Sequence, residues 1–328
     1  MRRRSIRTLV ALGLVAVAVL LAAAGLRSFG AWAIAKAPNH DGASGVSAPA
    51  DVARIVRAEV GAPTATIEAW ILEPDAPVGT TLVLHGIGDQ KRSMIGVGRE
   101  LRARGQRAVL VDLRGHGAST GRWLSYGVRE SQDLSELLDH LDALGMLVQP
   151  VGIYGPSYGG AVALQTAALD PRVTRVVSVS TFSSLRAVVP PYAAQVLPVV
   201  GSLLPDRFID LVVDDAGELA GFSPDAADAV RATAGLSAQV LLIHGDRDQN
   251  IPVENAHRLR AACAPGVCEL MILSGGTHAS TLSSRVVLDR ALDFLTDVGS
   301  PLRAAEPELL EQLVEHAEPP PRAAVLRL

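Results

Sequence analysis

Clustered positive charge, cysteine and aromatic side chains are all scarce in this chain. Beyond Arg2, Arg3, Arg4 and Arg7 there is no sustained basic run, and the net charge is −4. Phosphate backbones are held by clustered Lys and Arg, so nucleic acid is not expected as a partner. Aromatic residues make up 4% of a chain that is 48% hydrophobic, so Val, Leu and Ala must fill the core. Only Cys263 and Cys268 supply thiols, and no His stands at finger-like spacing from them, so a zinc site is not indicated. No internal repeat is present, which sets solenoids and propellers aside.

One long hydrophobic run is present, at the N-terminus. The arginines precede an uncharged apolar stretch from Thr8 to Leu26. At about 1.5 Å per residue it spans roughly 28 Å, near the hydrocarbon thickness of a bilayer. Residues 1–38 are therefore expected to act as a membrane anchor or signal segment, with the basic flank in the cytoplasm and the remainder outside it. A cleaved signal is the alternative, with Ala31-Trp32-Ala33 or Ala35-Lys36-Ala37 as the cleavage site, and would leave a secreted or periplasmic protein. The length of the run favours a retained transmembrane helix. Either route leads to an oxidising compartment, where Cys263 and Cys268, separated by the turn-like Ala-Pro-Gly-Val, can close a small disulfide loop. Two unpaired buried thiols are the alternative.

Residues 39–53 read as a linker rich in turn formers. From Arg54 to residue 297 strand and helix signals alternate. Short apolar strands are expected at 64–72, 80–84, 108–111, 151–154, 173–179, 240–243 and 269–273. Helices are expected at 93–104, 131–144, 161–169 and 281–295. Repeated β–α–β order predicts an α/β fold with a mostly parallel central sheet flanked by helices. Residues 185–238 break the alternation with several prolines and no clear strand, and are expected to form a small helical cap over the site. Residues 298–328 read as a peripheral C-terminal tail.

Gly155-Pro156-Ser157-Tyr158-Gly159 matches G-x-S-x-G, and so does Gly117-Ala118-Ser119-Thr120-Gly121. The first follows a buried strand and opens an Ala-rich helix, the placement that raises a serine hydroxyl on a sharp turn; Gly155 and Gly159 remove the Cβ atoms that would obstruct it. The second leads into a loop, and Ser119 is expected beside the pocket. A serine hydroxyl needs a base to take its proton. His278 is the best placed, in a Gly-rich loop after the last strand. His85, His116 and His244 read as loop stabilisers. The base needs a carboxylate to fix its tautomer. Asp248, just past the preceding strand, is preferred to Asp246. The order Ser157, Asp248, His278 is the one this topology requires. Backbone N–H groups of Tyr158 and Ile87 are the expected oxyanion donors, each worth about 3 kcal/mol of barrier height.

Leu84-His85-Gly86, Asp112-Leu113-Arg114-Gly115-His116-Gly117, the Gly155–Gly159 turn, His244-Gly245-x-x-Asp248 and Gly276-Thr277-His278 occur in one order. With these motifs the chain resembles the α/β-hydrolase superfamily over about residues 54–297, nearest to BEM46-like and serine aminopeptidase-like bacterial hydrolases. The resemblance implies a Ser157–Asp248–His278 triad, an Ile87/Tyr158 oxyanion hole, and no metal or organic cofactor. The expected activity is cleavage of a carboxylic ester or thioester, on a small-molecule or lipid-like acyl substrate. A peptidase or acyltransferase using the same triad is the alternative. Dehalogenase and epoxide hydrolase chemistry would need a carboxylate where Ser157 stands. A non-catalytic, membrane-tethered binding module on the same scaffold is the reading from a different class.

Overall fold

The computed structural model describes residues 2–40, 42–43 and 45–297; the tail expected at 298–328 lies outside the described residues. Eight strands form one sheet: β1 (Arg54–Val60), β2 (Ala65–Leu72), β3 (Gly79–Val83), β4 (Gln106–Val111), β5 (Val151–Pro156), β6 (Val173–Val179), β7 (Gln239–Gly245) and β8 (Cys268–Leu273). Their spatial order is β1-β2-β4-β3-β5-β6-β7-β8. The β1–β2 and β2–β4 pairs are antiparallel, and every later pair is parallel.

The helices are α1 (Arg2–Ala35), α2 (Ile95–Ala103), α3 (Glu130–Ala143), α4 (Tyr158–Leu169), α5 (Leu185–Val196), α6 (Asp206–Ala220), α7 (Ala229–Ala234), α8 (Glu254–Ala262), α9 (His278–Ser283) and α10 (Arg285–Thr296). Leu134, Leu137, Leu138 and Leu141 of α3 and most of α4 pack on one face of the sheet. Leu101 of α2 and Val287, Ala291, Leu292 and Leu295 of α10 pack on the other. Each large side chain so buried contributes about 1.5–3 kcal/mol, and a sheet covered on both faces explains strands without polar alternation. α4 is buried nearly all round, because the sheet, α3 and α7 enclose it.

Three features differ from the sequence expectation. β1 is an extra edge strand, whose alternation leaves Arg54, Ile55, Arg57 and Glu59 exposed and so gave only a weak apolar signal. α8 was also unanticipated; its buried face is only Asn255, Ala256 and Leu259. The closing helical stretch is two helices, divided where Ser284 caps α10 by accepting from Val287 N–H. The 185–238 segment is helical, but α5 carries Pro190 and Pro191 inside it.

The cysteines are joined as a disulfide, with Cα atoms 5.9 Å apart.

The stretch around residue 39, expected to be linker, is stitched to the domain. Lys36 makes a β-bridge with Trp123, Ala37 is buried against Gly115, and the Asn39 amide donates to Gly117 and Ser119 carbonyls. These partners stand about eighty residues away, a distance no local pattern reveals. α1 is long and apolar enough over Leu12–Ala35 to cross a membrane.

Candidate active site

β5, β6, β7 and β8 are consecutive in the sheet, so the loops leaving their carboxyl ends are neighbours, at about 4.8 Å per strand. Ser157 stands between β5 and α4 with φ 50° and ψ −116°. A side-chain-bearing residue at positive φ is strained, and the surroundings must enforce it. Here Ser157 N–H donates to Val179 O at 2.7 Å, and Ser157 O accepts from Gly160 N–H and Thr181 Oγ1, each at 3.0 Å. A Cβ on Gly155 would strike the Gly159 carbonyl, and one on Gly159 would stand 2.6 Å from His85 O. Gly160 is a third tight position, hemmed in by Thr181 and Ser178 hydroxyls. The doublet Gly159-Gly160 carried that signal in the sequence.

His278 is the first residue of α9, held by a capping box between Thr277 and Ser280. Its Nδ1 donates to Asp248 Oδ2 at 2.7 Å, which leaves Nε2 as the ring's acceptor. Asp248 is buried, and its Oδ1 accepts the N–H groups of Asn250 at 3.0 Å and Ile251 at 2.9 Å. Burial alone would raise its carboxyl; the bonds from His278 and Ile251 outweigh it and hold the group below the ordinary carboxylate range. Asp246, the rival in the sequence, is exposed and makes no bond to His278 among the described residues. A hydrogen bond from Ser157 Oγ to His278 is not among those formed by the described residues. Such bonds often tighten only when substrate arrives.

Ser119, in the duplicate motif, is fully buried; its hydroxyl donates to Asp112 O and accepts from Glu68 N–H. That hydroxyl is consumed by the fold.

The loop after β3 runs past Ser157: a Cβ on Gly86 would lie 3.9 Å from Ser157 Cβ. Ile87 N–H has no hydrogen-bond partner among the described residues, whereas Gly88 N–H is taken by His116 Nε2 at 3.3 Å. Tyr158 opens α4, so its N–H belongs to the first turn, where helical partners are lacking. Both N–H groups lie at the positive end of the α4 dipole or beside it.

Three buried polar groups brace this loop. His85 Nδ1 donates to Gly86 O at 2.7 Å while its Nε2 accepts from Leu113 N–H at 3.1 Å. His116 Nδ1 donates to Arg114 O at 3.0 Å. Lys91 is buried on Asp112 and, at 2.9 Å, on Glu68 Oε1, with its ammonium 4.8 Å from the Trp70 ring centre. Glu130, which sequence reasoning passed over, is fully buried and accepts from Ser125 N–H at 2.9 Å, Gly127 N–H at 2.9 Å and Tyr158 OH at 2.8 Å. It thereby fixes the side chain of the residue after Ser157. Nothing in the local pattern around Glu130 marks it.

Both braces at His85 and His116 need a neutral ring, because each Nε2 accepts an N–H. Burial pushes each imidazole down to about 4, with the His85 ring adding to the effect at His116. Unfolded histidine titrates near about 6.5, so the unfolded state gains protons first as pH falls, and stability drains away from there down to about 4. The expected result is that the NMR signals of both rings stay flat from about pH 8 to 5.5. A midpoint near about 6.5 for either ring would contradict its assigned bonds.

An eight-stranded, mostly parallel sheet with a strained serine turn between β5 and α4 and a helical segment between β6 and β7 is the arrangement of the α/β-hydrolase fold, and this chain has that fold. Residues 75–220 match the serine aminopeptidase, S33 family. A monoacylglycerol lipase of Mycolicibacterium smegmatis is 25% identical over 271 residues, covering 73% of this chain and 95% of that protein. The magnesium-chelatase 30 kDa subunit of Rhodobacter capsulatus is 36% identical over 138 residues, 39% of this chain; the match spans only 45% of that protein's length. An esterase of Pyrococcus furiosus superposes with a TM-score of 0.59 at 20% identity, over 77% of this chain and 95% of the esterase.

Proposed function

We propose that the chain is a serine hydrolase that cleaves a carboxylic ester or thioester through an acyl-enzyme intermediate. The observation that carries this reading is the buried Asp248 bonded at 2.7 Å to His278, on loops neighbouring the strained Ser157 turn. In the reaction, Ser157 Oγ attacks the acyl carbon while His278 Nε2 takes its proton. Ile87 and Tyr158 N–H groups receive the oxyanion. The tetrahedral adduct collapses, and His278 returns the proton to the departing alcohol or thiol. Water then repeats the sequence and frees the acid. Asp248 holds the ring's tautomer and stabilises the imidazolium. The catalytic unit of this reading is residues 54–297, with 185–238 as its cap.

Aminopeptidase or acyl-transfer activity with the same groups is the second reading, favoured by the match of residues 75–220 to the serine aminopeptidase, S33 family. Hydrolysis rates on parallel ester, thioester and aminoacyl amide panels separate the two.

We also read α1 as a retained membrane span with the catalytic unit outside the cytoplasm. The basic flank before it, the uncharged run Thr8–Leu26 and the Cys263–Cys268 disulfide support this.

The reading is tested by a fluorophosphonate probe on the full chain in detergent micelles, followed by peptide mapping. The adduct is expected on the Ser157 peptide. Labelling confined to other serines, or none at all, overturns the assignment.

A further inference from the structure

Charge is absent from two long stretches of this chain, and α6 links them: its Asp215 pairs with Arg27, where the first ends, and the second runs into its N-terminus. The first is the apolar run of α1, which ends at Arg27, the first charged residue after Arg7. Arg27 does not face water freely: its guanidinium makes a two-pronged pair with Asp215 of α6, each contact at 2.5 Å. Ala31 and Ala35 of α1 pack with Val212, Ala216 and Ala220 of α6. Gly30 permits this closeness, since a Cβ there would stand 2.9 Å from Val212. The cap helix is thus fastened at the level where a spanning helix leaves hydrocarbon.

The second stretch runs directly into α6. From Ala187 to Pro205 no residue is charged. Tyr192, Val196, Leu197, Val199, Val200 and Leu203 in it are all exposed, Val199 and Leu203 by 74% and 77%. A contiguous apolar edge of this kind marks an interaction surface. It cannot itself cross a bilayer, because α5 has 12 residues with Pro190 and Pro191 inside. Short apolar elements next to a span lie instead in the headgroup boundary. On α1, exposed Phe29 and Trp32 follow Arg27, and the Lys36 ammonium lies 4.5 Å from the Trp32 ring centre. Aromatic and basic side chains of that kind sit at membrane–water interfaces.

We propose that the 192–203 edge of the cap is seated in the lipid leaflet from which α1 emerges, so that α1 and the cap form one membrane-docking unit. The occupant is the boundary between headgroups and acyl chains. The edge also adjoins the candidate site: Gln195 Nε2 donates to Asn250 Oδ1 at 2.7 Å, and Asn250 N–H donates to Asp248. Combined with the hydrolase reading, on which this consequence rests, the substrate class is an acyl lipid drawn from that leaflet.

The test uses the full chain in phosphatidylcholine vesicles. Cys263 and Cys268 are paired, so Leu203→Cys introduces a single reactive thiol for an environment-sensitive nitrobenzoxadiazole label. Leu144→Cys, exposed where α3 ends and the chain turns toward the start of β5, is the control. Lipid-borne nitroxide is expected to quench the Leu203→Cys label and spare the control. A Leu203→Cys label that is unquenched overturns the proposal, and one that is blue-shifted yet unquenched assigns the edge to a second copy or another protein. Failure of the chain to float with vesicles overturns both the span reading and this inference; flotation without quenching overturns this inference alone. Neither readout depends on activity, so failure of the hydrolase reading is seen separately. Where the hydrolase reading holds, Leu203→Glu should lower turnover of a vesicle-borne long-chain ester about tenfold and leave a water-soluble short ester unchanged, since the variant forfeits the burial of a Leu side chain and adds a charge at the boundary. Equal effects on both esters contradict the proposal.

Discussion

Asp248→Asn is expected to lower kcat on a short ester by about 10³–10⁴-fold with KM little changed, the loss typical of a triad carboxylate. The substitution keeps the shape and an oxygen for the Asn250 and Ile251 N–H groups that Asp248 Oδ1 now accepts. It changes the partner of His278. The present 2.7 Å contact requires a proton on Nδ1; an amide nitrogen there would donate instead, forcing the proton to Nε2. That nitrogen could then take no proton from Ser157. The carboxyl is held below its ordinary range, so it is ionised throughout the neutral range and the acid limb of the rate profile belongs to another group. Steady-state kinetics of the full chain in micelles check the result. A loss below about tenfold would remove Asp248 from the mechanism.

Glu130→Ala should destabilise the fold by about 4 kcal/mol, because several buried donors lose their acceptor at once. Ser125 N–H, Gly127 N–H and the Tyr158 hydroxyl all end on this carboxylate. Each orphaned group costs about 1–3 kcal/mol, and neighbours sharing one acceptor do not add fully. Glu130→Gln keeps one acceptor oxygen and turns the other toward donors, so about half the loss is expected. Chemical denaturation of both variants against the parent measures the difference. Equal stability of Glu130→Ala and the parent would show that water replaces the carboxylate, and that Tyr158 is positioned by packing alone.

The sheet was legible where burial on both faces left continuous apolar runs, as in Leu82-Val83 and Leu241-Leu242-Ile243. β1 was less so, because an edge strand with one wet face dilutes that signal. The serine turn was legible from its placement and not from its motif, since Ser119 sits in the same pattern with its hydroxyl buried and bonded. The chain order of Asp248 and His278 is written in the sequence; the orientation of the ring is not, because it follows from the cap of α9. Glu130 and Lys91 were hidden for a further reason. A buried charge is decided by partners brought from other elements, such as Tyr158 for Glu130 and Glu68 for Lys91. The docking of α1 on α6 was hidden likewise: Arg27 and Asp215 are 188 residues apart.

The central claim is that Ser157 carries the chemistry, and hydrolysis of a short p-nitrophenyl ester by the full chain beside Ser157→Ala tests it most directly. The parent should turn the ester over, and Ser157→Ala should retain less than about one-thousandth of that rate. Equal rates in the two proteins would contradict the account.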